Sequence, residues 1–362
     1  MDFTFTAEQR MMSAALRALL EDLCSAAQLR EVYEGRDRGA EDRWRRLREM
    51  GLMGVLAGEA AGGMGLADAD FVLLAEEAGR AALPEPLIEH AAIAVPALAE
   101  LAAEPRVAVL LQAAASGESR IAVRHMRNAC ASVPPGVTHW LLLGESAVHL
   151  YDAREVVPLP QRSLDAARRL ARLEVAVDEA HRLASGEAAR AVSERAASRG
   201  ALYAAAQCLG LTERMLALAV SYAKERVQFG RPIGAYQAIK HHLASVQVKL
   251  EFARPAVYAA AARVADLDAP TLAAVSHAKL AAGDAAELAA RTAIQVHGAM
   301  GYSWEVDLHF YMKRAWALEG TWGDRSFHAR RVQSLVLGGA FALGPDQTFQ
   351  YADQGELRRI AQ

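Results

Sequence analysis

The segment from Glu225 to Ile233 contains the residues best suited to holding a ligand. It joins two amphipathic helical patterns through a short turn rich in glycine and proline, and Arg226 stands where the first helix is predicted to end. A guanidinium there can donate two parallel hydrogen bonds to a pyrophosphate, and the ring of Phe229 can pack on a flat ring system. Arginine at a helix C-terminus also commonly complements the helix dipole, so the residue types alone leave both roles open.

Other polar or glycine-rich groups are less suited to chemistry. His297 could touch a ligand, but a hydrogen-bonded histidine packed in the interior is the more common case. The polar and aromatic cluster at 304–311 resembles a metal site only superficially, because its members fall on several helical faces, so we predict no metal site. The cluster consists of Trp304, Glu305, Asp307, His309 and Tyr311. The glycines at 62–65 lack the spacing of a phosphate-binding loop and predict a connector.

Composition limits the class of protein. With 362 residues, of which 53% are hydrophobic, the chain can bury a large core. Its 40 basic and 43 acidic residues give a net charge of −3, which provides no general attraction to nucleic acid or to an anionic membrane. The 3 cysteines are far apart and lack metal-ligand spacing, and the start of the chain lacks a secretory signal pattern. We therefore expect a cytoplasmic protein without nucleic-acid or membrane partners.

The elements that must position these residues follow a simple order. Helical periodicity predicts an N-terminal helical domain over residues 1–117. Short β-prone runs such as His139–Leu143 predict a small β domain over residues 118–184. Long amphipathic stripes predict a helical bundle over 185–345, followed by a tail over 346–362. Because strands and helices do not alternate as in a Rossmann domain, we predict an α+β fold that is mostly α-helical.

Two motifs in the bundle resemble those of the acyl-CoA dehydrogenase family. The sequence ERVQFGRPIGAYQ at 225–237 follows the family pattern ERxxFGxxIxxxQ between the first two long C-terminal helices. The sequence QVHGAMGY at 295–302 is similar to the second family signature, QxxGGxGY. Further similarities in the N-terminal half extend the resemblance over residues 1–115 and 200–335.

This resemblance implies the family fold and an FAD-dependent enzyme that introduces an α,β double bond into an acyl-CoA thioester, as in β-oxidation. In the family, a glutamate removes the α-proton, the flavin receives the β-hydrogen as hydride, and electron-transferring flavoprotein collects the electrons. The residues of the two motifs reach the FAD of a neighbouring subunit. The matching positions are Arg226, Phe229, Gln237, Gln295, Gly298 and Gly301.

The sequence departs from the family pattern in two places. The middle domain is short, and the stretch at 120–128 replaces a segment like TEPxxGSD that contacts the flavin ring in typical members. Ungapped counting places the two usual positions of the catalytic glutamate on Trp322 and Gly200, and neither residue is a base. An EGT sequence that begins at Glu319 offers an alternative base, if three residues are deleted just before it.

With these departures, the chain resembles one of the two subunits of the α2β2 acyl-CoA dehydrogenases, which are encoded by two genes. Their substrates are often bulky steroid-side-chain acyl-CoA esters. We therefore predict a base-lacking subunit that completes the FAD site of a second acyl-CoA dehydrogenase subunit. A self-sufficient homotetramer that uses Glu319 as its base is the first alternative. A non-enzymatic scaffold with the same fold is the second alternative.

Overall fold

The computed structural model describes residues 4–344, and the first part of this range is helical. A capping box starts the first helix, because Thr6 Oγ1 accepts a hydrogen bond from the Gln9 N–H at 3.2 Å and Gln9 Oε1 accepts one from the Thr6 N–H at 2.7 Å. The α5 helix continues a π-helical stretch, Ile88–Ala94. The helices are α1 Ala7–Leu23, α2 Ala26–Tyr33, α3 Ala40–Glu49, α4 Asp68–Arg80, α5 Val95–Glu100 and α6 Pro105–Ala115.

A seven-stranded sheet follows these helices in the chain. Its strands are β1 Ile121–His125, β2 Ala131–Ser132, β3 His139–Leu143, β4 Ala147–Asp152, β5 Val157–Gln161, β6 Leu170–Glu174 and β7 Arg182–Ser185. They lie in the order β5-β6-β2-β1-β3-β4-β7. The β1 and β3 strands are parallel, with Ile121 opposite His139, and the other neighbouring pairs are antiparallel.

A helical bundle completes the fold. Its helices are α7 Gly186–Glu225, α8 Gln237–Ala261, α9 Ala269–His297, α10 Leu308–Glu319 and α11 Arg325–Leu337. A small hairpin of β8 Val227–Gln228 and β9 Arg231–Pro232 links α7 to α8. The 40-residue α7 is the central helix, since α4, α8, α9 and α10 all pack against it. This architecture confirms the predicted α+β, mostly α-helical fold class.

Two glycines bring α4 close to α7. A Cβ atom on Gly210 would lie 1.9 Å from the carbonyl oxygen of Glu76, and one on Gly79 would lie 2.2 Å from that of Gln207. Any side chain at either position would push the helices apart, because the interior has no spare volume. The N-terminal helices are therefore held tightly against the central helix.

A buried ion pair ties the three regions together. Arg314 of α10 pairs with Asp165 of the β5–β6 connection, and both side chains are buried. Tyr33 of α2 donates its hydroxyl to Asp165 at 2.7 Å, and Arg314 also donates to the carbonyl oxygen of Leu83 at 2.8 Å. Burial alone would raise the pKa of Asp165, but the Arg314 charge and the hydrogen bonds outweigh it and hold this pKa below its usual value.

Residues 4–344 contain neither a helix that could cross a membrane nor a cluster of potential metal ligands. None of the helices in this range combines the length and the apolar character that a bilayer crossing needs. The same range contains no group of three or more histidine, cysteine or acidic side chains placed to hold a metal ion. The domain limits drawn from the sequence stay a prediction, and the tail at 346–362 lies outside the described residues.

We predict that Asp165→Ala strongly destabilises the protein. It leaves the buried Arg314 guanidinium without its charge partner, which costs about 3–5 kcal/mol of unfolding free energy. Urea unfolding followed by circular dichroism measures this loss. The control is Asp42→Ala, which removes the exposed ion pair to Arg45 and should barely move the unfolding midpoint. Equal effects of the two substitutions would contradict the linking role of Asp165.

Candidate functional site

The first motif forms an exposed hairpin at one end of the bundle. The Arg226 carbonyl accepts a hydrogen bond from the Ile233 N–H at 2.8 Å, which closes the hairpin behind its tip. Phe229 and Gly230 form the two-residue turn, with φ of 51° and 80°. A positive φ is unusual for an aromatic residue, and the Phe229 side chain is 92% exposed. A strained backbone that holds an apolar ring in solvent indicates a binding role.

The polar side chains on this surface are free to bind a ligand. Arg226, Gln237 and Gln295 are exposed, and none of their side chains makes a hydrogen bond or ion pair with another residue in 4–344. Four lysines and arginines and one glutamate occupy positions 224–242, so the local charge is positive. Unpaired guanidinium and amide groups on a positive surface suit an anionic, phosphate-containing ligand.

An aromatic stack places the second motif beside the first. Tyr222, one helical turn before Arg226, stacks on His297 with ring centroids 4.3 Å apart and an interplanar angle of 26°. His297 is buried, and its Nδ1 donates a hydrogen bond to the carbonyl oxygen of Ala293 at 2.7 Å, because a carbonyl can only accept. His297 is therefore a packing residue that joins the ends of α7 and α9.

The glycines of the second motif shape the loop that follows α9. Gly298 has a φ of 60°, a conformation that favours glycine. Gly301 is buried, and a Cβ atom there would lie 2.7 Å from the carbonyl oxygen of Ile294. The need for both glycines is thus already explained by backbone packing, and their contact with a cofactor stays a proposal.

The two sequence positions counted as possible bases lie against each other. Trp322, in the connection between α10 and α11, is only 3% exposed, and its indole covers Gly200 of α7. A Cβ atom on Gly200 would lie 2.2 Å from the indole. The structure therefore brings the two positions into one place, which we call the Trp322 crevice, and fills it with an aromatic ring.

His125 of β1 lies beside this crevice without offering a base. His125 lies 5.3 Å from the Trp322 ring, and burial lowers its pKa to about 4, so it is neutral near pH 7. Its Nε2 donates to the carbonyl oxygen of Ser193 at 3.0 Å, and its Nδ1 accepts from the Arg127 N–H at 3.0 Å. With both ring nitrogens paired, His125 cannot accept a substrate proton.

The position of Glu319 does not suit a catalytic base. It ends α10, its side chain is exposed, and its backbone carbonyl accepts a hydrogen bond from the buried Lys279 ammonium at 3.1 Å. The same ammonium donates to the carbonyl oxygen of Leu318 at 2.7 Å, so Lys279 caps the end of the helix. The carboxylate is therefore exposed to solvent and not enclosed as a catalytic base usually is.

The hairpin and the Trp322 crevice are far apart in one subunit. Gly200 and Arg226 are 26 positions apart along α7, which corresponds to about 39 Å at 1.5 Å per residue. The Arg226 side chain cannot span this distance. A ligand bound to the hairpin surface through Arg226 would therefore not be held by the crevice of the same chain at the same point.

Comparison with known families identifies the class of protein. The model of the acyl-CoA dehydrogenase N-terminal domain matches residues 6–118, and that of the C-terminal domain matches residues 189–337. Together they cover more than half of the chain, which belongs to the acyl-CoA dehydrogenase family. Members of this family are FAD-dependent oxidoreductases that act on CH–CH bonds.

Individual relatives refine this assignment. The acyl-CoA dehydrogenase IpdE2 of Mycobacterium tuberculosis is 33% identical over 85% of this chain and 91% of its own length. The acyl-CoA dehydrogenase FadE34 of the same organism is 30% identical over 92% of this chain, but this chain spans only 48% of that protein. The solved structure of the Tcur3481-Tcur3483 steroid ACAD superposes with a TM-score of 0.80 at 26% identity, covering 92% of this chain and 98% of that one.

The hairpin surface carries free groups that suit FAD, whereas the polar groups beside the crevice are already paired. The unpaired Arg226 and the exposed Phe229 ring match a pyrophosphate and a flat ring system. On the sheet side, Asn128 Oδ1 is occupied by the Trp322 N–H at 2.8 Å, and both nitrogens of His125 are paired. The groups that could have met a flavin ring beside the crevice are therefore bound to the protein itself.

Sequence reasoning did not single out three of these residues. Tyr222, Asn128 and His125 act through contacts between distant segments, and no local pattern marks such contacts. For Tyr222, the aromatic residue one turn before Arg226 was the only available signal.

We predict that Arg226→Ala weakens FAD binding by the assembled enzyme about 10- to 100-fold, because a charge-assisted pyrophosphate contact is lost. Flavin fluorescence titration of the apo complex measures this change. The control is Arg291→Ala, which removes another exposed arginine near the end of α9 that pairs only with Glu287. An Arg226→Ala complex that binds FAD as tightly as the Arg291→Ala complex would argue against the cofactor role of the hairpin.

Proposed function

We propose that this chain is the base-lacking subunit of a heteromeric acyl-CoA dehydrogenase, and that it completes the FAD site of a second, related subunit. In this assembly Arg226 binds the FAD pyrophosphate of the partner, Phe229 packs on a ring of the cofactor, and Gln237 and Gln295 supply amide hydrogen bonds. Gly298 and Gly301 shape the adjoining loop.

The arrangement of α7 carries this proposal. Gly200, in the first half of the helix, meets an indole where the base would stand, and the C-terminal end, about 39 Å away, presents an exposed cofactor motif. A chain that acted alone would need both features to serve one chemical site. The arrangement is instead what a subunit needs if it contributes to another subunit's site.

The reaction is α,β-dehydrogenation of an acyl-CoA thioester. FAD accepts the β-hydrogen as hydride when it is bound. In this proposal the partner removes the α-proton, and electron-transferring flavoprotein collects the electrons. The residues of this chain hold and orient the cofactor from outside, which fixes its position relative to the partner's substrate.

The proposed substrates are bulky acyl-CoA esters, including steroid-side-chain esters. The similarity to a steroid ACAD whose name joins two components supports both the substrate class and the heteromeric assembly. A further relative, FadE34, is about twice as long as the region that it shares with this chain, so it has room for two such units.

The homotetramer that uses Glu319 is the enzymatic alternative. Its base would have to work from an exposed position at the end of α10. A non-enzymatic scaffold is the second alternative. The strained, exposed Phe229 and the unpaired Arg226 have no evident purpose in such a protein.

The experiment that tests the proposal is purification of the chain alone and together with a candidate partner dehydrogenase. We expect electron-acceptor reduction with an acyl-CoA only in the joint preparation. Turnover by this chain alone would reject the proposal, and a joint preparation without any flavin colour would favour the scaffold.

We further predict that Glu319→Gln leaves turnover by the joint preparation unchanged, because the side chain is exposed to solvent. Steady-state kcat, measured at saturating acyl-CoA, is the readout. Glu287→Gln on the neighbouring face of α9 is the matched control for the loss of a surface charge. A drop of several orders of magnitude in kcat, with FAD still bound, would instead assign the base to Glu319.

A further inference from the structure

The backbone of Trp322 is strained, and neighbouring residues hold it in that conformation. Its φ of 60° is unusual for a large residue, and such a conformation persists only where the surroundings enforce it. The surroundings do so, because the backbone N–H of Trp322 donates to Asn128 Oδ1 at 2.8 Å and the indole lies on Gly200. The loop is thus held from the sheet side, and the ring is held from the helix side.

The β1–β2 connection that carries Asn128 is itself fixed to the bundle. Arg127 and Arg331 both pair with Glu194 of α7, and both guanidinium groups lie over the Phe327 ring, at 4.8 and 4.9 Å from its centroid. These contacts link the sheet, α7 and α11 around the indole. They therefore hold in place the connection whose Asn128 binds Trp322.

A separate small cavity lies further along α7 than Gly200. Gln207 lies two helical turns beyond Gly200, and it lines a cavity of about 30 Å³ together with Leu318 and Arg168. The Arg168 guanidinium is buried, and its nearest polar contacts are long, at 3.3 Å to Ser132 Oγ and 3.4 Å to the Ala317 carbonyl oxygen. The cavity has room for about two water molecules. The buried Arg168 guanidinium would disfavour an alkyl chain inserted there.

We propose that Trp322 is a seal that excludes acyl thioesters from this chain's own crevice. The indole fills the space that an acyl group would occupy. Gly200 leaves room for the indole, and Asn128 holds the loop that carries Trp322. This inference rests on the proposed function, because it explains how the subunit leaves substrate binding to its partner. The seal also identifies Trp322 and Gly200 as the pair that decides whether the crevice is open.

Two substitutions should open the crevice by different routes. Trp322→Gly removes the indole, and Gly200→Ala expels it, because the new Cβ atom would lie 2.2 Å from the ring. We expect each full-length variant to bind octanoyl-CoA roughly 100-fold more tightly than the wild-type chain, since several methylene groups can fill the vacated space. Isothermal titration calorimetry measures the affinities.

Two matched variants control for nonspecific effects. Trp316→Ala changes a tryptophan of α10 that is 38% exposed, and Gly283→Ala adds a methyl group where no atom lies within 4 Å. Both should bind octanoyl-CoA like the wild-type chain. Free indole provides a folding check, since it should bind Trp322→Gly and raise its melting temperature.

The outcomes separate the seal from the proposed function. Folded Trp322→Gly and Gly200→Ala chains that bind octanoyl-CoA no better than wild type would overturn the seal, as would tight binding by the wild-type chain. If Trp322→Gly does not fold, Gly200→Ala decides the question. The proposed function fails by a different result, which is acyl-CoA oxidation by the wild-type chain without a partner.

Discussion

The rigid length of α7 is the constraint on which the rest of the structure depends. Helices α4, α8, α9 and α10 pack on it, and the close crossing with α4 at Gly79 and Gly210 leaves no spare volume between these two helices. Because α7 is continuous over 40 residues, whatever binds near Gly200 and whatever binds at Arg226 are held about 39 Å apart. This separation between the filled crevice and the exposed hairpin is the basis for the proposal that the hairpin contributes to the site of another subunit.

The interior also depends on charges that few sequence patterns would place there. Arg314 and Asp165 are both buried, and they connect the bundle with the sheet and, through Tyr33, with the first helices. Buried ion pairs of this kind contribute less to stability than to a defined arrangement, since either partner alone is strongly unfavourable. A fixed relation between the sheet and the bundle is also what keeps Asn128 in place against Trp322.

Local patterns in the sequence were sufficient for the fold class and for the two motifs. The helical stripes and the run at His139–Leu143 reflect periodicities that neighbouring residues determine, and the structure confirms a strand at this run. Its parallel pairing with β1 was not predictable, because the alternation within a strand carries no information about the direction of its partner.

The candidate site was also only partly predictable from the sequence. Counting along the sequence selected Trp322 and Gly200 separately, but only the folded chain shows that they touch, since that contact joins segments more than 100 residues apart. The positive φ of Phe229 was similarly hidden, because a turn conformation depends on the hairpin that encloses it. Glu319 remained a candidate in the sequence because a three-residue gap leaves no trace in one sequence, whereas its exposure in the structure weighs against it.

The most direct test of the account is equilibrium binding of FAD to the purified chain alone and in complex with its partner dehydrogenase. Visible absorption and flavin fluorescence report the bound cofactor without requiring turnover. The account predicts that the chain alone retains no FAD and that the complex does, because this chain supplies only the outer half of the site. Stoichiometric, tightly bound FAD in the chain alone would contradict it.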